Sequence, residues 1–368
     1  MAPPAVARVL ERVRATARQH GLFDPGTTVL VACSGGPDST CLLHSLSRLR
    51  RLFRIRLAVF HFDHRIRPDS ARDAAYVRAQ ATRLHLPFLL REATGRPRRG
   101  QSVEAWARLA RYAALTEAAV QAAADRAALG HTQDDQAETV LLGLVRGGGL
   151  EAVAGMAPVA KLPPLGLTAI RPLLGTTREE VEAFCRALHL RPRRDPTNLD
   201  PRFLRNRLRG EVIPMMEERL DRSLKVTLAR TAENVRGDSA FLESLASEAA
   251  RGIITVREDE IRLDSSGLAT LPVPVGARVV RQAVRLAAAA GGEWGPDPGA
   301  AHVRGVLDLA GGRPGRRLDL PGGLLAARRK EYIRIARASL EKAAVDRTPR
   351  RRQPGGRTRS PGPSPRAR

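Results

Sequence analysis

The sequence predicts an α/β fold: a Rossmann-like parallel sheet of five strands, followed by a smaller, mostly helical C-terminal domain that contains a short hairpin. Three observations predict it. Short apolar runs alternate with helix-length amphipathic stretches as far as about Pro214, the pattern of a parallel sheet covered on both faces. The polar motifs fall at the carboxyl ends of those runs, where such sheets place their binding crevice. Beyond Pro214 the alternation stops and a long helical pattern takes over.

The elements follow in order. Thr27–Ala32 is an apolar run ending at a glycine-rich turn, and Ser39–Leu49 carries leucines at helical spacing, giving strand, loop and helix. Arg56–Phe62 reads as the second strand, Ser70–Leu84 as a helix and Phe88–Leu90 as the third strand. Ser102–Ala124 is a long amphipathic helix with Glu104, Arg108 and Arg111 near one face. Ala127–Gly130 makes a short fourth strand, Asp134–Val145 a helix, Thr168–Ile170 the fifth strand and Thr177–Leu188 another helix. The stretch between Gly147 and Pro172 is rich in Gly and Pro and reads as a loop with one short element. Arg219 to about Gly252 is helical, Ile253–Leu263 a hairpin, Val275–Ala290 a helix, and Arg316–Ile335 two strands around Pro321-Gly322-Gly323. The expected division is a first domain over 1–215, a second over 216–340 and a tail over 341–368 whose Arg, Pro, Gly and Ser offer nothing to bury.

Composition narrows the partners. The chain has 368 residues, 43% of them hydrophobic, with no long apolar run. Its best apolar stretch, Val279–Ala290, is broken by Arg281, Gln282 and Arg285, so no membrane span is expected. Met1-Ala-Pro-Pro has no export pattern, which points to the cytoplasm. Three cysteines, Cys33, Cys41 and Cys185, with no CxxC pair, suit neither a disulfide framework nor a zinc or iron–sulfur site. The formal charge is +24; the eight arginines from Arg347 onward face no acid, which leaves +16 on the rest. That excess favours a polyanionic partner, nucleic acid first. With aromatics at 4%, a platform that stacks bases on rings is disfavoured.

Four motifs carry chemistry. Ser34-Gly35-Gly36-Pro37-Asp38-Ser39 lies between strand and helix, where backbone N–H groups and the helix N-terminus converge on an anion. It has neither the lysine nor the spacing of GxxxxGK[ST]. Asp38 would repel a phosphate unless a cation such as Mg²⁺ bridged them. The plainer alternative is a turn in which Ser34 or Asp38 caps the helix. His61-Phe62-Asp63-His64 follows the second strand; Asp63 can accept from an adenine amine or a ribose hydroxyl, while two histidines alone make a poor metal site.

Gly130-His131-Thr132-Gln133-Asp134-Asp135-Gln136-Ala137-Glu138-Thr139 opens a helix. Capping needs only one of the two aspartates. The second, with His131 and Glu138 close by, suggests binding Mg²⁺ or an incoming amine. Arg202, Arg205, Arg207 and Arg209 follow the turn-rich Asp195-Pro196-Thr197-Asn198, and helical spacing groups Arg202, Arg205 and Arg209 as a phosphate-binding stripe or a solvated face.

The six-residue loop resembles that of the N-type ATP pyrophosphatases, the PP-loop enzymes of the adenine nucleotide alpha hydrolase-like fold. With the GHxxDDQAET element, Arg146-Gly147-Gly148-Gly149, Arg171-Pro172-Leu173-Leu174 and the DPTN…RNRLR run in this order, residues 27 to 215 resemble the tRNA(Ile)-lysidine synthetase family. The resemblance implies ATP, Mg²⁺ and free L-lysine, and a tRNA(Ile) with a CAU anticodon whose wobble cytidine is adenylated and then joined to lysine. It implies that Ser34, Gly35, Gly36, Pro37, Asp38, Ser39, Asp63 and His131 hold the nucleotide, with Asp38 on the metal. Asp38, Arg111 and Asp135 would be catalytic. Arg108, Asp134, Asp135, Glu138 and the arginines at 202, 205, 207 and 209 would hold the substrates. A homodimer is left open. The rivals are a tRNA thiolase of the same superfamily, an ATP-dependent small-molecule synthetase or amidotransferase, and an RNA-binding protein with a decayed nucleotide site.

Overall fold

The computed structural model describes residues 3–65, 69–95, 103–147, 149–162, 166–193, 204–290 and 298–338, without the side chains of 103–105. The chain divides into two compact units between Ala240 and Phe241. In the first, α1 (Pro4–His20) precedes β1 (Thr28–Ala32), α2 (Pro37–Phe53), β2 (Arg56–Asp63), α3 (Ser70–Arg83) and β3 (Phe88–Glu92). Then come α4 (Val103–Gln121), β4 (Arg126–Ala128), α5 (Gln133–Val145), α6 (Leu150–Val153), β5 (Val159–Leu162), β6 (Leu167–Ile170) and α7 (Arg178–Ala187). After α7 come α8 (Leu204–Arg207), a π-helical turn over Leu208–Val212, α9 (Ile213–Arg219) and α10 (Leu224–Ile253), inside which the division falls.

The sheet runs β3-β2-β1-β4-β6-β5. The five expected strands are all there and all parallel. A sixth, β5, lies antiparallel on β6 in the stretch read as a loop with one short element, which holds both α6 and β5. Its four residues sit among Gly and Pro, too short to announce an alternating pattern.

Strand periodicity sorts side chains to two faces. Val29 and Val31 of β1, with Leu57 and Val59 of β2, join one core with Val9 and Val13 of α1, Leu43 and Leu46 of α2 and Phe184 of α7. Leu30, Ala58 and Phe60 join the other with Leu115, Ala118 and Ala119 of α4. Both faces are therefore covered, as the near-continuous apolar strands require. The helix α1 goes beyond the elements read from the sequence; Val6, Val9, Val13 and Ala17 lie along one face, and Gly21 ends it at φ 57°, sending its N–H to Ala17 O.

The second unit has β7 (Ile254–Val256), β8 (Ile261–Asp264), α11 (Ser265–Thr270), α12 (Val273–Ala290) and α13 (Ala300–Ala310). It closes with β9 (Arg317–Leu320), β10 (Leu324–Arg328) and β11 (Tyr332–Arg337). The expected hairpin forms one antiparallel sheet, β7-β8-β11-β10-β9, with three further strands where two were expected, β11 following β10 after the turn at 329–331. Leu263, Ile333 and Ile335 pack against Val279 and Val280 of α12 and Val306 of α13. Among the described residues no helix is long and apolar enough to cross a membrane.

A candidate nucleotide site at the carboxyl edge of the sheet

The strand order reverses between β1 and β4: the chain proceeds outward to β2 and β3, then returns to the other side of β1. Loops leaving two such strands part company and open a crevice. The 34–39 loop leaves β1 there, and the element from Gly130 leaves β4.

The loop is held by its own hydroxyls. Ser34 N–H donates to Ser39 Oγ at 3.1 Å, and Ser39 Oγ donates to Gly36 O at 3.1 Å. Gly35 sits at φ 91°, left-handed backbone that a side chain rarely adopts. Gly36 is the N-cap of α2 and contributes no side-chain cap, and Pro37 opens the helix, so neither Ser34 nor Asp38 caps it. The Asp38 Oδ1 atom is buried without a hydrogen-bond partner. Burial drives the Asp38 pKa up to about 6 against the pull of Arg178.

Gly130 joins the two motifs. A Cβ there would lie 3.2 Å from Asp38 C and from both Ser39 N and Ser39 Cα, so a glycine lets the chain leaving β4 lie against this loop without displacing it. Beyond it, Thr132 caps α5 in a reciprocal box: Thr132 N–H donates to Asp135 Oδ2 at 2.9 Å, and Asp135 N–H to Thr132 Oγ1 at 3.4 Å. Asp135 is thus the capping acid with one oxygen, and its Oδ1 faces three guanidinium groups: Arg209 at 3.2 Å, Arg205 at 3.5 Å and Arg178 at 3.6 Å. Burial works to raise the Asp135 pKa, but Arg205, the Thr132 amide and Arg178 outweigh it and hold the carboxyl below its usual range.

Asp134 is spared the cap. Its Oδ2 accepts the Arg178 N–H at 2.8 Å, and Oδ1 lies 3.2 Å from Lys225 Nζ. Glu138, 1% exposed, takes Arg205 Nε on Oε2 at 2.7 Å and Arg209 Nε on Oε1 at 2.6 Å. The two arginines therefore point inward onto the acids, while Arg207 between them is exposed.

His131 is neutral. Burial takes its pKa down to about 3, with Arg171, Arg205 and Arg111 adding to the push and Asp135 opposing it. Arg171 donates Nε–H to His131 Nδ1 at 3.2 Å, which leaves the ring proton on Nε2. Arg108 and Arg111 both flank the Tyr112 ring, at 4.9 and 5.5 Å from its centroid; burial lowers the Arg111 pKa. Asp63, buried at the end of β2, accepts the Arg65 N–H at 2.8 Å. His61 is committed to the Cys33 carbonyl at 2.8 Å. Arg202, Arg67, Gly148, the DPTN turn and the tail lie outside the described residues.

A PP-loop domain model matches residues 7–216. Over 342 residues the chain is 41% identical to a tRNA(Ile)-lysidine synthase of Symbiobacterium thermophilum, covering 90% of this chain and 69% of that one. It is 40% identical to the tRNA(Ile)-lysidine synthase of Salinispora tropica, covering 89% and 95%. The chain belongs to the tRNA(Ile)-lysidine synthase family. A U34-tRNA thiolase from Methanococcus maripaludis shares the fold, with a TM-score of 0.53 at 18% identity over 63% of this chain and 79% of that one.

As a member of this lysidine synthase family, and so an ATP-dependent ligase of the PP-loop superfamily, the chain brings three further side chains to the site that motif reading left without a role. Arg171 orients His131. Arg178 stands between the two motifs, 3.9 Å from Asp38 Oδ2 and 3.6 Å from Asp135 Oδ1. Its only sequence signal was its place at the start of α7, after a Thr177–Glu180 capping box, beside the carboxyl edge. Lys225 gave no signal at all.

Proposed function

We propose that the chain ligates free L-lysine to C2 of the wobble cytidine, position 34, of tRNA(Ile) with a CAU anticodon, forming lysidine and releasing AMP and pyrophosphate. The observation that carries the reading is the contact at Gly130, which makes the ATP loop and the paired aspartates one surface. Cytidine O2 attacks the α-phosphorus of ATP, the α–β bond breaks and pyrophosphate leaves. The lysine ε-amine then gives up a proton and attacks C2, and O2 departs on AMP. An oxide is a poor leaving group at that carbon; AMP is a good one.

The residues divide this work. The backbone N–H groups of Gly35, Asp38 and Ser39, at the N-terminus of α2, receive the pyrophosphate. Neutral His131 and Asp63 offer a donor and an acceptor to the nucleoside. Arg111, which has no carboxylate partner among the described residues, suits the developing charge at the α-phosphoryl group. Asp135 is the candidate for the reacting amine, which enters charged and must be deprotonated. Arg207, and Arg202 by its motif, are the candidates for tRNA phosphates. Asp38 fits a magnesium ion, since its Oδ1 is buried without a partner; held there, the ion would neutralise phosphate charge.

The thiolase alternative needs a reactive sulfur. All three cysteines are buried, and burial raises each thiol pKa, that of Cys185 up to about 12. The test is direct: purified protein with ATP, Mg²⁺, radiolabelled lysine and unmodified CAU transcript should transfer label to RNA. Absence of label on transcript shown to be intact overturns the reading.

A further inference from the structure

Lysine is scarce in this chain, supplying 4 of its 62 cationic residues. One of them, Lys225, occupies the first turn of α10, where a cation opposes the helix dipole. Something other than the helix accounts for its place. Its ammonium lies 3.2 Å from Asp134 Oδ1 and 3.3 Å from Glu217 Oε2, at a cavity of about 240 Å³ lined also by Arg178, Glu179, Glu182 and Arg209. Since Asp134 Oδ2 is taken by the Arg178 amide, Oδ1 is the oxygen left to receive a ligand cation, and Lys225 has it.

Resting on the function proposed above, we propose that Asp134 and Glu217 form the seat of the non-reacting α-ammonium of free lysine, and that Lys225 fills this seat as a tethered competitor until the substrate displaces it. The substrate carries two amines with opposite needs. The ε-amine must shed a proton to attack; the α-amine never does. Burial works against the Lys225 charge, yet Asp134 and Glu217 outweigh it and raise its pKa above the ordinary lysine value. A seat that stabilises an ammonium would disable the nucleophile and suits the spectator. At 33% side-chain exposure, Lys225 has a way out to water, and its flexible stem lets it leave without moving α10.

A competitor that holds the seat for part of the time weakens apparent affinity by the fraction for which the seat is open. Lys225→Met keeps the apolar stem and removes the charge. In lysine transfer to CAU transcript, this variant should lower the KM for L-lysine by about 3- to 10-fold, and Lys225→Arg should not. Inhibition by 6-aminohexanoate, which lacks the α-ammonium, should be unchanged. An unchanged or raised lysine KM in Lys225→Met overturns the inference, as does a 6-aminohexanoate gain equal to that of lysine. Should Lys225→Met fail to fold, Lys225→Gln and equilibrium dialysis with labelled lysine make the same comparison. No transfer by the wild-type chain overturns the function itself; transfer with an unshifted KM overturns only the tethered competitor.

Discussion

Arg209 grips Glu138 with two prongs, Nε to Oε1 at 2.6 Å and Nη2 to Oε2 at 3.0 Å. Arg205 shares the same carboxylate. Burial works to lower the Arg209 pKa, and Glu138 more than reverses it. Removing a carboxylate that is 1% exposed leaves two guanidinium groups without their main partner. Because those groups are 35% and 29% exposed, water recovers part of the loss. Glu138→Ala should therefore cost about 2–3 kcal/mol in urea unfolding, below the range for a fully buried pair. A change under about 0.5 kcal/mol, the size of a surface substitution, would show that the clamp contributes little.

Gly130→Ala tests the junction of the motifs. The new methyl meets backbone atoms of Asp38 and Ser39 at 3.2 Å, and backbone does not swing aside. The 34–39 loop must shift by a few tenths of an ångström. The KM for ATP should rise by roughly 10-fold, with less than about 2 kcal/mol lost from stability. Unchanged ATP dependence would mean that the loop absorbs the displacement.

Asp135→Asn separates cap from chemistry. The amide oxygen can keep the Thr132 N–H bond, while the charge facing Arg178, Arg205 and Arg209 disappears. Lysine transfer should fall by about 100-fold or more, with a melting point within a few degrees of the wild type. Near-normal transfer would leave Asp135 as a cap alone.

Arg178→Ala probes a cation that bridges Asp38 and Asp135. Single-turnover formation of the adenylate should slow by about 10- to 100-fold, and Arg178→Lys should recover part of it. Arg186→Ala, on the exposed side of the same helix, should change nothing measurable. Equal effects from the two alanine variants would refute a special role for Arg178.

His131 predicts a pH dependence of stability. Its folded pKa of about 3 lies below the ordinary 6.5, so the unfolded chain binds the proton first. Its contribution is fully present above pH 6.5 and drains away as pH falls toward 3. Between pH 7 and 4.5 the wild type should lose more unfolding free energy than His131→Asn. Parallel losses in the two proteins would contradict a neutral, buried ring.

The five parallel strands were legible as short apolar runs alternating with helical stretches, and three of them end in polar motifs of their own: Gly35 and Gly36 after β1, Asp63 at the end of β2, Gly130 after β4. The site was legible in outline for the same reason, since carboxyl-edge turns converge at the point where the strand order reverses. What stayed hidden was direction. Helical spacing groups Arg205 with Arg209, but it does not tell whether that face looks at water or at Glu138. Asp134 and Asp135 are adjacent in sequence, yet the cap takes an oxygen of the second and spares the first, a choice made by the φ and ψ of Thr132. Arg178 and Lys225 arrive from helices whose packing, and not whose pattern, brings them to the acids.

The inward turn of Arg205 and Arg209 has an electrostatic consequence. A polyanion gains free energy from basic residues chiefly by shedding the small cations condensed along it, roughly one per phosphate neutralised. An arginine already matched by a carboxylate of its own chain releases none. The 62 Lys and Arg residues therefore overstate the grip available to RNA, and the ionic-strength dependence of binding should count Arg207 and other outward cations only. The inward pair responds instead to whatever changes the charge on Glu138 and Asp135.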